Sequence, residues 1–126
     1  MKKVDEDLME VIQSVFTQDG GIIIEKGDLQ KLEKGAKEIS YMEYPADDEY
    51  RAVRISERII CSLKSFGDNN KAALYFQGDP TMDELAEMLD GLHGKTNEII
   101  WGSCSELSLD ESMLKVALLF FEYSSV

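Results

Sequence analysis

Few residues of this chain have side chains that could carry out covalent or metal chemistry. The sequence contains one histidine, His93, and two cysteines, Cys61 and Cys104. The cysteines lie 43 residues apart, one in a predicted helix and one in a predicted strand, which favours two buried thiols of a cytosolic protein, with a disulfide or metal site as the alternative. One histidine gives no cluster at the spacing of a zinc site. The sequence therefore predicts no metal site, no cofactor and no catalytic residue.

Phosphate binding would require a glycine-rich turn, because backbone amides and a helix end hold the phosphates in such sites. The chain has a single Gly-Gly pair, Gly20-Gly21, and no Walker-type run. No nucleophile can be paired with a neighbouring base. We therefore expect that the isolated chain is not an enzyme.

Two acidic residues stand out for their setting. Glu25 and Asp28 are three residues apart, shortly after the turn signal at Gly20-Gly21, and a further glycine, Gly27, lies between them. Because burying two unpaired carboxylates is costly, we expect both to be exposed on the segment between two helices. In the simplest interpretation Asp28 is a helix N-cap and Glu25 a solvated charge.

Length and charge limit the class of protein and of partner. With 126 residues, the chain is expected to form one domain, residues 1–126, with its own core. Acidic residues number 25 against 13 basic ones, a net charge of −12. Such a surface repels phosphate backbones and anionic lipids, so nucleic acid and membranes are poor partners, whereas a basic protein surface is a suitable one; plain solubility is the alternative reason for the charge. There is no apolar stretch of membrane-spanning length and no signal region after Met1, which predicts a cytoplasmic protein.

The hydrophobic periodicity predicts alternating helices and strands. Thr81 and Glu84 form a capping box that marks one helix start, and Ala72 to Phe76 form a nearly continuous apolar run, typical of a strand buried on both faces. The predicted helices cover residues 4–16, 28–34, 48–65 and 81–93, and the predicted strands cover residues 38–44, 71–78, 98–104 and 115–123. This order indicates an α/β (α+β) two-layer sandwich, a four-stranded mixed sheet with helices on one face.

Four parts of the sequence resemble the C-terminal domain of the FtsZ/tubulin family of polymer-forming GTPases. Residues 48–52 (Asp-Glu-Tyr-Arg-Ala) are similar to the family's entry to its long helix, and residues 97–102 (Asn-Glu-Ile-Ile-Trp-Gly) to its Asn-x-Ile-Ile-aromatic-Gly strand. The helix start at residues 81–85 precedes this strand, and the acidic turn and strand at residues 110–119 follow it, in the family's order. The resemblance covers roughly residues 8–122. It divides the chain into an N-terminal helix and turn, residues 1–19, and a loop plus α/β core, residues 20–126.

The resemblance also assigns a role to the two carboxylates. In the family, a loop with two acids reaches the nucleotide pocket of the next subunit and positions the hydrolytic water. Glu25 and Asp28 fall on those two positions, whereas Ile23 replaces an asparagine and Lys26 an apolar residue. The resemblance therefore implies an interaction loop composed of Glu25, Asp28, Gly20, Gly21 and Gly27.

The GTP-binding half of the family has no counterpart in this sequence, so we expect the isolated chain neither to bind nor to hydrolyse GTP. The resemblance implies a non-enzymatic interaction module for cell division or cytoskeleton regulation. Its partner would be a full-length tubulin-like GTPase, or a second copy of the chain, and its effect the capping of a filament. Two alternatives stay open: a small-molecule-binding or homo-oligomeric α/β module unrelated to filaments, and a degenerate fragment without activity.

Overall fold

The computed structural model describes residues 2–17, 21–22, 24–47, 49–63, 69–92, 96–105 and 112–123. Gly20, Ile23, Asp48, His93 and residues 110–111 of the acidic turn lie outside the described residues. The elements are β1 (Lys2–Lys3), α1 (Glu6–Phe16), α2 (Lys26–Glu33), β2 (Ala36–Ala46), α3 (Arg51–Leu63), β3 (Asn70–Gln77), α4 (Met82–Leu92), β4 (Ile99–Cys104) and β5 (Leu114–Tyr123).

The strands form one mixed sheet in the order β1-β2-β5-β3-β4. β3 pairs with β4 in parallel, whereas β5 is antiparallel to both of its neighbours, β2 and β3. β2, β3 and β4 therefore run in one direction, and α3 and α4 are the crossover helices between them. The expected four strands are all present, and the fifth, β1, is a two-residue strand that pairs with Tyr41 and Ser40 of β2.

Each face of the sheet carries its own hydrophobic core. Leu74, Phe76 and Leu118 point to the face that is covered by α3 and α4, which confirms that the two long helices lie on one face. Tyr75 and Leu119 point to the opposite face, where α1 and α2 pack. The prediction of two layers was wrong in this respect, because the buried stripes of α1 and α2 need an apolar surface and cover the second face of the sheet.

The central strands β3 and β5 are buried on both faces, as the apolar run at residues 72–76 predicted for β3. Residues 72–76 of β3 are 0% exposed, and residues 116–121 of β5 are also buried. Phe16 of α1 stacks on Tyr75 with ring centroids 5.4 Å apart, while Phe76 contacts Trp101 edge-on on the opposite face, at 5.8 Å. A strand between two helical layers must be apolar on both sides, as predicted.

The ends of α3 and α4 are joined by one ion pair. Arg51 donates from Nε and Nη2 to the two carboxylate oxygens of Glu84, at 2.7 and 2.9 Å. Arg51 also donates to the backbone carbonyls of Asp79 and Ser112. Glu84 in turn accepts from the Thr81 N–H at 3.0 Å, and the Glu84 N–H donates to the Thr81 hydroxyl, so the predicted capping box is present. The Arg51 guanidinium holds the pKa of the Glu84 carboxyl below its usual value.

Two sequence expectations need correction. The first predicted strand was expected to end at residue 44, before Pro45, but β2 continues through Pro45 to Ala46. The Ile39 carbonyl accepts from the Val4 N–H, so the backbone groups of residues 39, 41, 43 and 45 point to the outer edge of the sheet. A missing N–H at that edge breaks no bond to β5, which is why proline is tolerated there.

The second correction concerns the cysteines. Cys104 is buried in β4, but Cys61 is exposed on α3. The buried positions of α3 include Ile55 and Ile59, and a residue two positions after Ile59 lies on the far side of the helix. Both thiols are free.

Candidate functional site

The segment that was predicted to be an interaction loop begins alongside β4. The Ser103 N–H donates to the Ile22 carbonyl at 2.8 Å, and the Ile22 N–H donates to the Ser103 hydroxyl at 3.4 Å. Ile24 is 3% exposed and belongs to the core under α1 and α2. The chain is therefore attached to the edge of the sheet immediately before the two carboxylates.

Two glycines make this close approach possible. A Cβ atom on Gly21 would lie 2.2 Å from the Ser103 carbonyl oxygen. A Cβ atom on Gly102 would lie 2.7 Å from the Ile22 carbonyl oxygen and 2.8 Å from Cγ1 of Ile24. Gly21 was singled out from the sequence, whereas the importance of Gly102 for this contact was missed, because no local pattern shows that residue 22 pairs with residue 103.

Glu25 and Asp28 are both exposed, as expected. Glu25, and not Asp28, is the N-cap residue of α2; its backbone is extended (φ −76°, ψ 142°) and its side chain makes no capping hydrogen bond. The Glu25 carbonyl accepts from the N–H groups of Asp28 and Leu29, at 3.0 and 3.3 Å. The simple interpretation of Asp28 as an N-cap was therefore wrong.

Asp28 lies in the first turn of α2, where the helix dipole favours a negative charge. Gly27 was expected to interrupt the secondary structure, but it also lies inside this turn. A Cβ atom at Gly27 would meet nothing within 4 Å. Leu29 and Leu32 are buried and anchor the helix to the sheet. The two carboxylates are thus exposed at the first turn of a helix whose buried side packs on the sheet.

A small depression lies beside this turn. It has a volume of about 250 Å³ and is lined by Asp28, Lys31 and Leu32 of α2, Lys71 of β3, and Glu98 and Ile100 at the start of β4. Lys71 pairs with Glu98 at 3.1 Å, and its ammonium lies 5.5 Å from the centre of the Tyr123 ring. The charges near Asp28 are therefore of both signs, and one of the two lysines, Lys71, is paired with Glu98.

A larger depression lies elsewhere on the described structure. It has a volume of about 650 Å³ and lies among β1, the start of α1, the end of α2 and β2, open to solvent. Charged residues form much of its lining, including Lys3, Glu33 and Glu38, and Lys3 and Glu38 pair with each other at 3.3 Å. A deep apolar pocket with converging polar groups would favour a small-molecule-binding module, and this depression lacks that character.

Within the described residues, no group of three or more His, Cys, Asp or Glu side chains is arranged to hold a metal ion. Among those same residues, no helix has the length and apolar character needed to cross a membrane.

Comparison with solved structures places this arrangement in a known fold. A point mutant of FtsZ from M. jannaschii superposes with a TM-score of 0.73, covering 92% of this chain and 38% of that chain at 21% identity. The empty FtsZ dimer from M. jannaschii gives a TM-score of 0.69, with 92% and 37% covered at 22% identity. No protein-family model and no curated protein matches the sequence. The chain spans less than two fifths of these FtsZ chains, and its fold is that of an FtsZ/tubulin C-terminal-like domain.

Proposed function

We propose that this domain is a non-enzymatic interaction module that binds a tubulin-like GTPase and caps its filament, in cell division or cytoskeleton regulation in the cytoplasm. The observation that carries the proposal is the exposed turn with Glu25 and Asp28, fixed to the edge of an FtsZ-like fold by the Ile22–Ser103 pairing. The sequence resemblance supports this proposal, because it aligns the pair with the positions at which the FtsZ/tubulin family presents two acids to a neighbouring subunit.

The local geometry suits presentation to a partner. Both carboxylates are exposed, and Glu25 makes no capping hydrogen bond with its own helix. Carboxylates in this state can accept hydrogen bonds from water or from a partner's donors, which is the capacity needed to orient a water molecule near a cation-bound phosphate. Because Leu29 and Leu32 hold α2 on the core, binding would require little ordering of the backbone.

The capping effect follows from the part of FtsZ to which the fold corresponds. A chain that offers the acidic turn, but whose sequence contains no phosphate-binding loop, could occupy one end of a filament without receiving the next subunit. The negative charge of −12 is suited to a partner surface with basic residues around its nucleotide.

The test uses the purified protein and the tubulin-like GTPase of the source organism. At stoichiometric amounts, we expect a changed GTP turnover rate and shorter filaments or less sedimented polymer. Replacing both acids (Glu25→Ala with Asp28→Ala) should abolish any stimulation of turnover and leave co-sedimentation largely intact, since apolar and shape contacts would carry docking.

A matched control pair exists on α1. Asp7 and Glu10 are also exposed, three residues apart and on a helix, so Asp7→Ala with Glu10→Ala removes the same charge at the same spacing. The control should behave as the wild type. No effect of the wild-type protein on turnover or polymer would refute the proposal, and equal effects of the two double variants would refute the role of Glu25 and Asp28.

A further inference from the structure

β4 is the last strand of the sheet and has β3 on one side only. The Ala72 N–H donates to the Glu98 carbonyl, and the Gly78 N–H donates to the Cys104 carbonyl. In a parallel pair, alternate residues of a strand direct their backbone groups to the same neighbour. The even-numbered residues of β4 therefore pair with β3, and residues 99, 101 and 103 direct their N–H and carbonyl groups away from the sheet.

Part of this outer edge is already used. The Ser103 N–H is paired with the Ile22 carbonyl. Within the part of the chain that the structure describes, no hydrogen bond to the outward groups of Ile99 and Trp101 is found. An edge with unpaired N–H and carbonyl groups is a template for a further strand.

The α4 side of this edge is apolar. Glu84 and Gly91 face α3, because Glu84 binds Arg51 and a Cβ atom on Gly91 would lie 2.3 Å from the Ser56 hydroxyl oxygen. The side of α4 that points away from α3 carries Met82, Ala86 and Leu89 at helical spacing. Met82 is 80% exposed, and Leu89 packs at the margin of the core.

The other side of the edge carries two exposed carboxylates among charged residues of both signs. Ile24 packs over Gly102, Glu25 follows it directly, and Asp28 borders the same depression as Glu98 and Ile100. The two carboxylates therefore lie beside β4 on the face opposite α4.

From these observations we propose that the outer edge of β4 at Ile99–Trp101 binds an extended protein segment that alternates apolar and basic residues. Its backbone would pair with Ile99 and Trp101, its apolar side chains would contact Trp101, Ala86 and Met82, and its basic side chains would face Glu25 and Asp28. A second copy of this chain is the poorer occupant, because pairing two β4 edges would bring two chains of charge −12 and their acidic turns together.

The proposal is independent of capping, since it needs only the isolated domain. The probe is a fluorescein-labelled, acetylated and amidated nonapeptide that alternates valine and lysine, with a valine–glutamate peptide as the charge control. We expect anisotropy to report binding of the first peptide, weaker at higher ionic strength, and no binding of the second. Failure of the lysine peptide to bind, or equal binding of both, would overturn the proposal.

Two N-methylated forms of the lysine peptide separate strand pairing from charge attraction. In one form the backbone nitrogen of every valine is methylated, and in the other form the backbone nitrogen of every lysine. The two forms block opposite edges of the peptide and leave its charge unchanged. One form should bind about tenfold more weakly than the other, the effect of losing two hydrogen bonds of ordinary strength. Equal affinity of the two forms would show that the backbone of the peptide does not pair with β4.

Amide hydrogen exchange then locates the contact. In the free protein, the Ile100 amide should exchange slowly and the Trp101 amide quickly, and the peptide should slow exchange at Trp101 and Ile99. Ala86→Lys should weaken binding of the lysine peptide about tenfold, because the new side chain would repel the basic peptide and occupy part of its space. Glu87→Lys lies on the outer side of α4 and should weaken binding less, although it changes the charge of the protein more. Exchange at Trp101 that is unaltered by the peptide, or a larger effect of Glu87→Lys, would refute the assignment.

Discussion

The ion pair between Arg51 and Glu84 should be the strongest polar contribution to the stability of this domain that the structure shows. The two side chains are only 11% and 18% exposed, and Arg51 also donates to two backbone carbonyls. The pair joins the first turns of α3 and α4 to the start of β5. Replacing Arg51 by methionine keeps most of the side-chain volume and removes every one of these donors.

The expected cost follows from the geometry. An exposed ion pair contributes at most about 1 kcal/mol, whereas removing one partner of a buried pair costs about 3–5 kcal/mol. Arg51→Met leaves Glu84 largely shielded from water with the Thr81 N–H as its remaining donor, so we expect a loss of about 2–4 kcal/mol in the free energy of unfolding. For a domain of this size the melting temperature should fall by roughly 8–15 °C.

Urea denaturation at neutral pH measures the loss, and Arg58→Met is the matched control. The Arg58 guanidinium donates to the Pro45 carbonyl at 2.8 Å, on an exposed part of α3, so its replacement should cost about 1 kcal/mol or less. A double-mutant cycle of Arg51→Met with Glu84→Gln should give a coupling of about 1–3 kcal/mol. An Arg51→Met loss no larger than that of Arg58→Met would refute the reasoning.

The pH dependence supplies an independent check of the same pair. Because Arg51 lowers the pKa of Glu84 in the folded state, the stabilisation is fully present above the unfolded carboxyl pKa of about 4.3 and is lost as the pH falls through the folded value. The difference in the free energy of unfolding between the wild type and Arg51→Met should therefore become smaller at acidic pH. A difference that stays constant from neutral pH to pH about 2 would mean that the guanidinium acts through packing alone.

Three further predictions concern other parts of the molecule. Gly102→Ala should destabilise the domain by about 1–3 kcal/mol in urea denaturation, because the new methyl group would collide with the Ile22 carbonyl. Gly27→Ala is exposed in α2 with free space around it, so it should be neutral or stabilising by up to about 1 kcal/mol. A larger loss of stability for Gly27→Ala than for Gly102→Ala would contradict the close approach at β4. Cys61 should react with a thiol reagent in the native protein and Cys104 only on unfolding, as followed by absorbance, and rapid native labelling of both would contradict the burial of β4. Isothermal titration with GTP and magnesium should show no binding to the isolated protein, because its sequence has no phosphate-binding loop, and micromolar affinity would overturn this.

The order of the helices and of the four longer strands could be predicted from the sequence alone, because helix and strand periods are local properties of a chain. The capping box at Thr81 and Glu84 was predicted correctly for the same reason: both partners lie within one turn. The burial of residues 72–76 followed from their unbroken apolar character. The exposure of Glu25 and Asp28 followed from the cost of burying unpaired charges.

The contacts that join distant parts of the chain could not be predicted from the sequence and required the fold. Ile22 pairs with Ser103 across 81 residues of sequence, and nothing near either residue encodes the other. The same limit applies to the second helical layer, to the continuation of β2 through Pro45 and to the exposure of Cys61, since each depends on which side of an element meets a neighbour. The turn with Glu25 and Asp28 was therefore visible in the sequence, whereas its attachment to the open edge of β4 required the fold.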